Sequence, residues 1–430
     1  MKTVYLNATV IDGTENMEEK IADIVVEDGK ISFIGKAGKK ELHGAERIDC
    51  TGKFIMPGLI NMHAHLFGTG KPSKILGGGG LQKLVIDFTH TKPGHKVLDA
   101  LVTSAVKNEL YSGVTTLRSV GDFEESDLRV RDKIRAGKLE GPRMFSSGAA
   151  ITVPTGHGDG TFADVAEDPK DLAALVDKRK EAGADFIKIC VTGGVMDAKE
   201  KGSPGELKMN LEQTKAVCDR AHEYGMIVAS HTESPAGMEV AILGGVDTVE
   251  HSAAFSPELG KVLKDRNGAL IITCSPALPL ARISPEITKL NDICVYNSEV
   301  VMDGMIEGSK CAKKYGIQVG LGTDASCPFA AQYNMWRELF YYHKLAGVST
   351  REAVYSATLS NARILGVDDI TGSIEVGKFA DMLILDNNPL NDLTALKDVN
   401  TVILEGKAVN GKPKKDPFIE EHLDEMSAAL

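Results

Sequence analysis

Apolar and polar positions along the chain follow two rhythms. Over residues 1–56, apolar residues recur with the period of two that a half-buried strand requires, at 3–10, 21–26 and 30–34. Glu27-Asp28-Gly29 separates the last two runs and reads as a hairpin turn. The same rhythm returns at 381–385 and 401–404, where Glu405-Gly406-Lys407 turns the chain into 408–409. Between these ends, from about 57 to 365, apolar runs of strand length alternate with stretches of helical period. The helix candidates are 98–112, 169–182, 211–224, 300–315 and 350–362; Gly113, Gly183, Gly225 and Gly316 follow closely on four of them, as C-terminal stops. The strand-like runs are one ending at His65, then 115–120, 144–150, 186–191, 227–231, 248–251, 269–274 and 318–324. Strand, helix, glycine and strand in repeated order predict a parallel sheet, and eight strands are what a closed barrel needs. The expected fold is therefore α/β: a (β/α)8 TIM barrel over 57–365, with a small β-sandwich domain built from both chain ends, 1–56 and 366–412. Residues 413–430 read as a charged tail with a short helix at most. Gly77-Gly78-Gly79-Gly80 falls outside the rhythm and is expected to be a mobile loop after the first strand; it lacks the GK[ST] context of a phosphate loop.

The ends of the apolar runs carry the chemistry. The first closes on His63-Ala64-His65, and in a strand side chains at i and i+2 share a side, so the two imidazoles can clamp one metal ion. Alone, such a pair is weak evidence. Lys188, His231, His251 and Asp324 stand at or near the carboxyl ends of later runs, and in a (β/α)8 barrel those ends converge on the face where active sites are built. Singly, each also fits a buried hydrogen-bond partner. Their joint occurrence in register with the strands is hard to explain that way.

Composition narrows the class. Over 430 residues, 43% hydrophobic and 25% charged content are those of a soluble globular protein with a sizeable core. A net charge of −11 disfavours nucleic acid and anionic membrane as partners. The start has no long apolar stretch, no segment is apolar enough to span a bilayer, and cytoplasmic residence is the expectation. Cysteines at 50, 190, 218, 274, 294, 311 and 327 form no CxxC pair and read as reduced core thiols, with Cys190 and Cys327 near the proposed ligands. A small-molecule substrate and assembly as a homo-oligomer are expected.

The motifs Pro57-Gly58-Leu59-Ile60-Asn61-Met62-His63-Ala64-His65, Gly113-Val114-Thr115-Thr116-Leu117-Arg118, Ile187-Lys188-Ile189, the single His231 and His251, Gly322-Thr323-Asp324 and the closing 372–382 resemble the metal-dependent amidohydrolase superfamily over nearly the whole chain. Lys188 together with Gly156-His157-Gly158-Asp159 is most similar to its prolidase-like and Xaa-Arg dipeptidase branch. The resemblance implies two divalent metal ions, zinc foremost, with His63, His65 and Asp324 at one and His231 and His251 at the other. It also implies that Lys188 is carboxylated by CO2, since a lysine ammonium has no lone pair to donate to a metal. The alternative reading of Lys188 is a cation paired with a nearby acid.

Two such ions address both obstacles to amide hydrolysis, acidifying a bridging water and polarising the carbonyl. The expected reaction is cleavage of an amide bond, in a dipeptide of Xaa-Pro or Xaa-Arg type or an N-acyl amino acid, by attack of the bridging hydroxide. Asp324 would serve as general base and then general acid. His157, between two glycines, would assist at the carbonyl oxygen. Arg118 would bind a substrate carboxylate or sit in a structural salt bridge, and Glu233 favours a cationic or neutral substrate group. Two alternatives stand beside this. One is a mononuclear deaminase or imidazolonepropionase-like cyclic amidohydrolase, for which a glutamate is expected where Ser234 stands; the other is a non-catalytic scaffold of the same fold. The aromatic group Tyr333, Trp336, Phe340, Tyr341 and Tyr342 reads as packing or an oligomer contact, and histidines 43, 90, 95, 222, 343 and 422 receive no chemistry.

Overall fold

The computed structural model describes residues 2–73 and 80–430, so that Gly77 to Gly79 of the glycine run lie outside the described residues. In chain order the strands are β1 (Lys2–Ile11), β2 (Glu19–Glu27), β3 (Lys30–Gly35), β4 (Glu46–Asp49), β5 (Phe54–Pro57), β6 (Leu59–Ala64), β7 (Val114–Ser119), β8 (Arg143–Ser146) and β9 (Ala150–Thr152). They continue with β10 (Ala163–Val165), β11 (Ile187–Cys190), β12 (Val228–Thr232), β13 (Thr248–His251), β14 (Ala269–Ile272), β15 (Gln318–Leu321), β16 (Met382–Leu385), β17 (Thr401–Leu404) and β18 (Lys407–Ala408). The chain divides into two compact units, one of residues 1–61, 107–117 and 333–414, the other of 62–106, 118–332 and 415–430.

In the first unit, strands from both chain ends share one mixed sheet, in the order β18-β17-β16-β5-β1-β2-β3 with β4 paired to β1. The joining ladder is β5 against β16, antiparallel from Phe54 opposite Leu385 to Pro57 opposite Met382. The β2–β3 hairpin turns at Asp28 (φ 49°) and Gly29 (φ 84°), two left-handed residues whose twist matches that of the strands. Inward residues of these strands, among them Tyr5, Val10, Ile24, Val26, Ile55, Met382 and Ile403, form one buried apolar cluster.

The second unit is built on a seven-stranded parallel sheet ordered β10-β9-β11-β12-β13-β14-β15, and a three-stranded sheet joins β6, β7 and β8. Strands β11 to β14 are buried at every residue, as expected of parallel strands covered on both faces. The strand ladders do not run round as a single closed ring. Backbone hydrogen bonds mark the two gaps: Thr323 N and Asp324 N to His63 O (2.9 and 2.7 Å) and His65 N to Ala325 O (3.1 Å) between the ends of β15 and β6, and Asp185 N to Ser146 O (2.9 Å) beside β8.

Helix boundaries follow capping chemistry. Pro169–Glu181 starts on Asp168, whose side chain accepts from Lys170 N, and Leu211–Glu223 starts on a reciprocal Asn210/Gln213 box. Asp292–Tyr315 begins eight residues before the expected 300, on an Asn291 cap, and ends on Gly316 at φ 68°. Three further elements differ from expectation. The run 144–150 is broken by Gly148 (φ 67°), so β8 stops at Ser146 and β9 resumes in the other sheet. The seventh run stops at Ile272 and Cys274–Arg282 is helical despite Pro276 and Pro279. The tail carries a three-turn helix, Pro417–Ser427, because Ile419, Leu423 and Met426 form a buried stripe. Among the described residues no helix is long and apolar enough to cross a membrane.

Candidate metal centre and active site

All the expected ligands belong to the second unit. Register explains how they meet. In the parallel ladders Cys190, His231, Glu250, Ile271 and Gly320 lie level, with Lys188 level with Ala229 and Thr248. Lys188 therefore starts two residues, roughly 6.6 Å, below His231. Only a long side chain spans that gap. Glu250 and His251 are consecutive, and simple alternation would send them to opposite faces. His251 adopts φ 67°, however, and its ring lies 4.8 Å from that of His63 and 4.6 Å from that of His231. Asp324 is likewise left-handed (φ 48°), with its amide on His63 O at 2.7 Å. Gly322 makes this approach possible, since a Cβ there would stand 2.4 Å from the Cβ of His63.

Two ligand groups result, His63 with His65 and Asp324, and His231 with His251 and Glu233; within each, the candidate ligand atoms lie within 4.8 Å of one another. Nε2 of His63 and Nε2 of His65 both stand 3.4 Å from Asp324 Oδ1. Their Nδ1 atoms are engaged behind, His63 by Glu250 Oε2 (2.6 Å) and His65 by Gly121 O (2.5 Å); His251 Nδ1 meets Thr273 Oγ1 at 2.6 Å. Burial pushes His65 down to about 4 and lowers His231 and His251 well below the ordinary histidine range, so these imidazoles are neutral, the form that binds metal. Asp324 is held well below the usual carboxylate range: burial opposes ionisation, and the facing imidazoles, His63 first and then His251 and His65, together outweigh it.

Lys188 is 2% exposed, and its Nζ has no hydrogen-bond partner among the described residues. Burial lowers its pKa against the opposing charges of Glu250 and Asp324. A buried, unpartnered amine beside four histidines and an aspartate fits a donor set that is completed when the lysine becomes an anion and metal is bound.

The other expected residues are placed as follows. His157 stacks on His231 at 4.1 Å, 12° from parallel, and its Nδ1 meets Asp197 Oδ2 at 2.6 Å. Glu233 Oε1 is 3.9 Å from His231 Nε2; its Oε2 is buried without a partner among the described residues, and burial followed by Asp324 and Asp197 pushes its carboxyl well above the usual range. Arg118 is fully buried and makes the salt bridge named above as its alternative, donating to both oxygens of Glu250 at 2.7 and 2.8 Å, to Thr248 Oγ1 and to Met62 O. Ser234, where a deaminase glutamate is expected, caps helix Pro235–Gly244 by accepting from Gly237 N and donates to Gly205 O at 2.6 Å. Cys327 Sγ lies 3.9 Å from Asp324 Oδ2, while Cys190 is buried, which pushes its thiol up to about 12. Trp336, Tyr341 and Tyr342 are buried in helix Met335–Ala346, as packing residues are.

Glu250 and Asp197 were not anticipated. The signal for Glu250 was a carboxylate inside the apolar run 248–251, where an acid must find a partner. Asp197 sits on a short turn after β11, and no pattern in the sequence marks it.

A model of the amidohydrolase family matches residues 54–409. The chain belongs to the amidohydrolase family. This amidohydrolase is 36% identical to a Bifidobacterium longum protein provisionally assigned as a prolidase, whose crystal structure matches with a TM-score of 0.86 over 99% of this chain and 98% of that one. It is 30% identical to a Xaa-Pro dipeptidase solved with methionine in its active site, at a TM-score of 0.83 over 96% and 100% of the two chains. Ochratoxinase of Aspergillus niger is 23% identical over 439 residues, covering 93% of this chain and 86% of its own. The amidohydrolase is thus a hydrolase of carbon–nitrogen bonds, acting on amides.

Proposed function

We propose that this amidohydrolase binds two divalent metal ions, zinc foremost, and cleaves the amide bond of a dipeptide of Xaa-Pro or Xaa-Arg type or of an N-acyl amino acid. The observation that carries the reading is Lys188, a buried amine without a hydrogen-bond partner among the described residues, on the strand beside that of His231. Carboxylated on Nζ, it would offer an oxygen to each ion. His63, His65 and Asp324 would hold one ion, His231 and His251 the other. In support of the dipeptide class stand the Xaa-Pro dipeptidase at 30% identity and the Ser234 cap where the deaminase reading needs an acid. The architecture that goes with this reading is one eight-stranded barrel formed by β6, β7, β8 and β11 to β15, supported by the hydrogen bonds across both gaps, with the first unit as a β-sandwich.

Metal ions bound there would supply an acidified water and a polarised amide carbonyl. Asp324 accepts the proton of the attacking water and returns it to the amine nitrogen as the C–N bond breaks. His157, oriented by Asp197 on Nδ1, serves the carbonyl oxygen as an electrophilic partner. Glu233, whose Oε2 is buried without a partner among the described residues, would meet a cationic or neutral substrate group. Arg118 is committed to Glu250 and supports the site from behind.

Elemental analysis of protein expressed with zinc and bicarbonate, paired with a panel of dipeptides and N-acyl amino acids, tests the reading. Two ions per chain and turnover on the panel are expected. One ion per chain would move the assignment to the mononuclear class, and none to the scaffold.

A further inference from the structure

The ligand histidines are not backed alike. His65 leans on a backbone carbonyl and His251 on a hydroxyl, both uncharged. Among the described residues, His63 alone of the four has a carboxylate on Nδ1, that of Glu250 at 2.6 Å. This carboxylate cannot turn away. Oε1 accepts from Thr248 Oγ1 (2.6 Å) and Arg118 Nη2 (2.7 Å), and Oε2 accepts from the same Nη2 (2.8 Å). Arg118 is fixed in turn by Met62 O at 2.6 Å and Thr248 Oγ1 at 3.1 Å, and neither Arg118 nor Glu250 is exposed.

An anion on Nδ1 holds the imidazole in the tautomer that leaves Nε2 bare, fixes the ring, and makes Nε2 more basic. We propose that Glu250, pinned by Arg118, is a positioning residue that makes the His63, His65 and Asp324 position the tighter of the two metal positions. The proposal rests on the two-ion reading above and adds an order of filling to it. Among the described residues the second position, of His231 and His251, has no such support: the carboxylate facing His231, that of Glu233, stands 3.9 Å away on Nε2 itself.

The test is cobalt titration of the metal-free full-length protein, read by visible absorption and by competition with a chelator of known affinity. The wild-type protein is expected to fill in two steps, with the tighter one lost in His65→Ala. Glu250→Gln weakens that step about 10- to 100-fold, shifts the absorption of the first cobalt equivalent, and leaves the weaker step unchanged. Because Glu250→Gln leaves the Arg118 guanidinium buried without its anion, the pair Arg118→Met with Glu250→Gln is measured beside it. That double variant removes both charges and is expected to fold with the same selective loss. Equal weakening of both steps, no weakening of either, or failure of both metal-free variants to fold would overturn the proposal and leave the ion pair as structure alone. A single step in the wild-type protein would refute the two-ion reading and the order of filling. The role of Glu250 would then be decided by whether that one step weakens in the variants.

Discussion

Replacing Lys188 by Met separates function from folding, because the two respond with opposite sign. Two other large buried cations are well supplied with acceptors: Arg118 donates to four acceptor atoms, and Arg179 donates to Ala149 O, Glu125 and Asp164. Lys188 Nζ donates to none among the described residues. A buried donor without a partner costs roughly 1–3 kcal/mol, more when charged. Methionine keeps nearly the same volume and drops the polar atom, a swap that costs under about 1.5 kcal/mol in packing. Metal-free Lys188→Met is therefore expected to be more stable than metal-free wild type, by about 1 kcal/mol in urea unfolding in buffer freed of bicarbonate. The metal-loaded variant is expected to hold fewer ions and to lose at least about 100-fold in activity. A stability loss in the metal-free state would refute the reasoning. It would place Lys188 in a structural ion pair, as its alternative reading has it.

Four further outcomes follow from the same geometry. Asp324→Asn keeps its shape and loses its proton acceptor, so kcat is expected to fall about 10²- to 10⁴-fold with the circular-dichroism spectrum intact; most of the activity retained would count against the mechanism. Glu233→Gln is expected to lower the ratio of kcat/KM for basic over acidic substrates by roughly tenfold, the worth of one charge-assisted hydrogen bond, and an unchanged ratio refutes that role. Gly322→Ala puts a methyl 2.4 Å from His63 Cβ and 2.5 Å from its backbone nitrogen, and is expected to cost about 1–3 kcal/mol in thermal unfolding and to weaken metal binding; a variant that binds metal as wild type does would refute the close approach. Glu109 is buried, its carboxyl meeting the Asn61 amide at 3.2 and 3.3 Å, and burial pushes it from 4.5 up to about 8. Between those values the folded chain keeps a proton that the unfolded chain has released, so stability falls as pH rises, by up to about 1.4 kcal/mol per pH unit. Urea unfolding from pH 5 to 8 is expected to show this decline reduced in Glu109→Gln, and identical slopes would refute it.

The hydrophobic rhythm carried the element order well. Each of the eight runs contains a strand, the hairpin turns fall at Asp28-Gly29 and Glu405-Gly406, and Gly113, Gly183, Gly225 and Gly316 all adopt positive φ behind helices. The misses have local causes. The run expected to stay extended to 274 gives way to the helix Cys274–Arg282, which accepts two prolines: Pro276 stands in its first turn and Pro279 near its end. The tail looked too charged for more than a short helix, but three apolar residues at i, i+4 and i+7 were enough to bury one face of it.

The site was legible in its residues and hidden in its orientation. Alternation predicts which side chains share a face only while the backbone stays extended, and it fails where the site is made. Had His251 remained extended, Glu250 would point inward and His251 away, and the His231 group would lose a ligand. Left-handed φ at His251, Ser252, Asp324 and Ser326 turns the chain at two strand ends instead. Such conformations cost of order 1–3 kcal/mol each for residues other than glycine. Neighbouring hydrogen bonds hold them in place: Ser252 N bonds to Thr232 O, Asp324 N to His63 O, and Ser326 N to Ala330 O. The first two of these bonds join segments distant in sequence, which no local pattern encodes. Glu250 was missed for the same reason, since its meaning lies in Arg118 and His63 across the sheet rather than in the residues beside it. The strained residues and the buried ion pair thus meet at one ring of side chains, where local preference is overruled to bring the ligand atoms together.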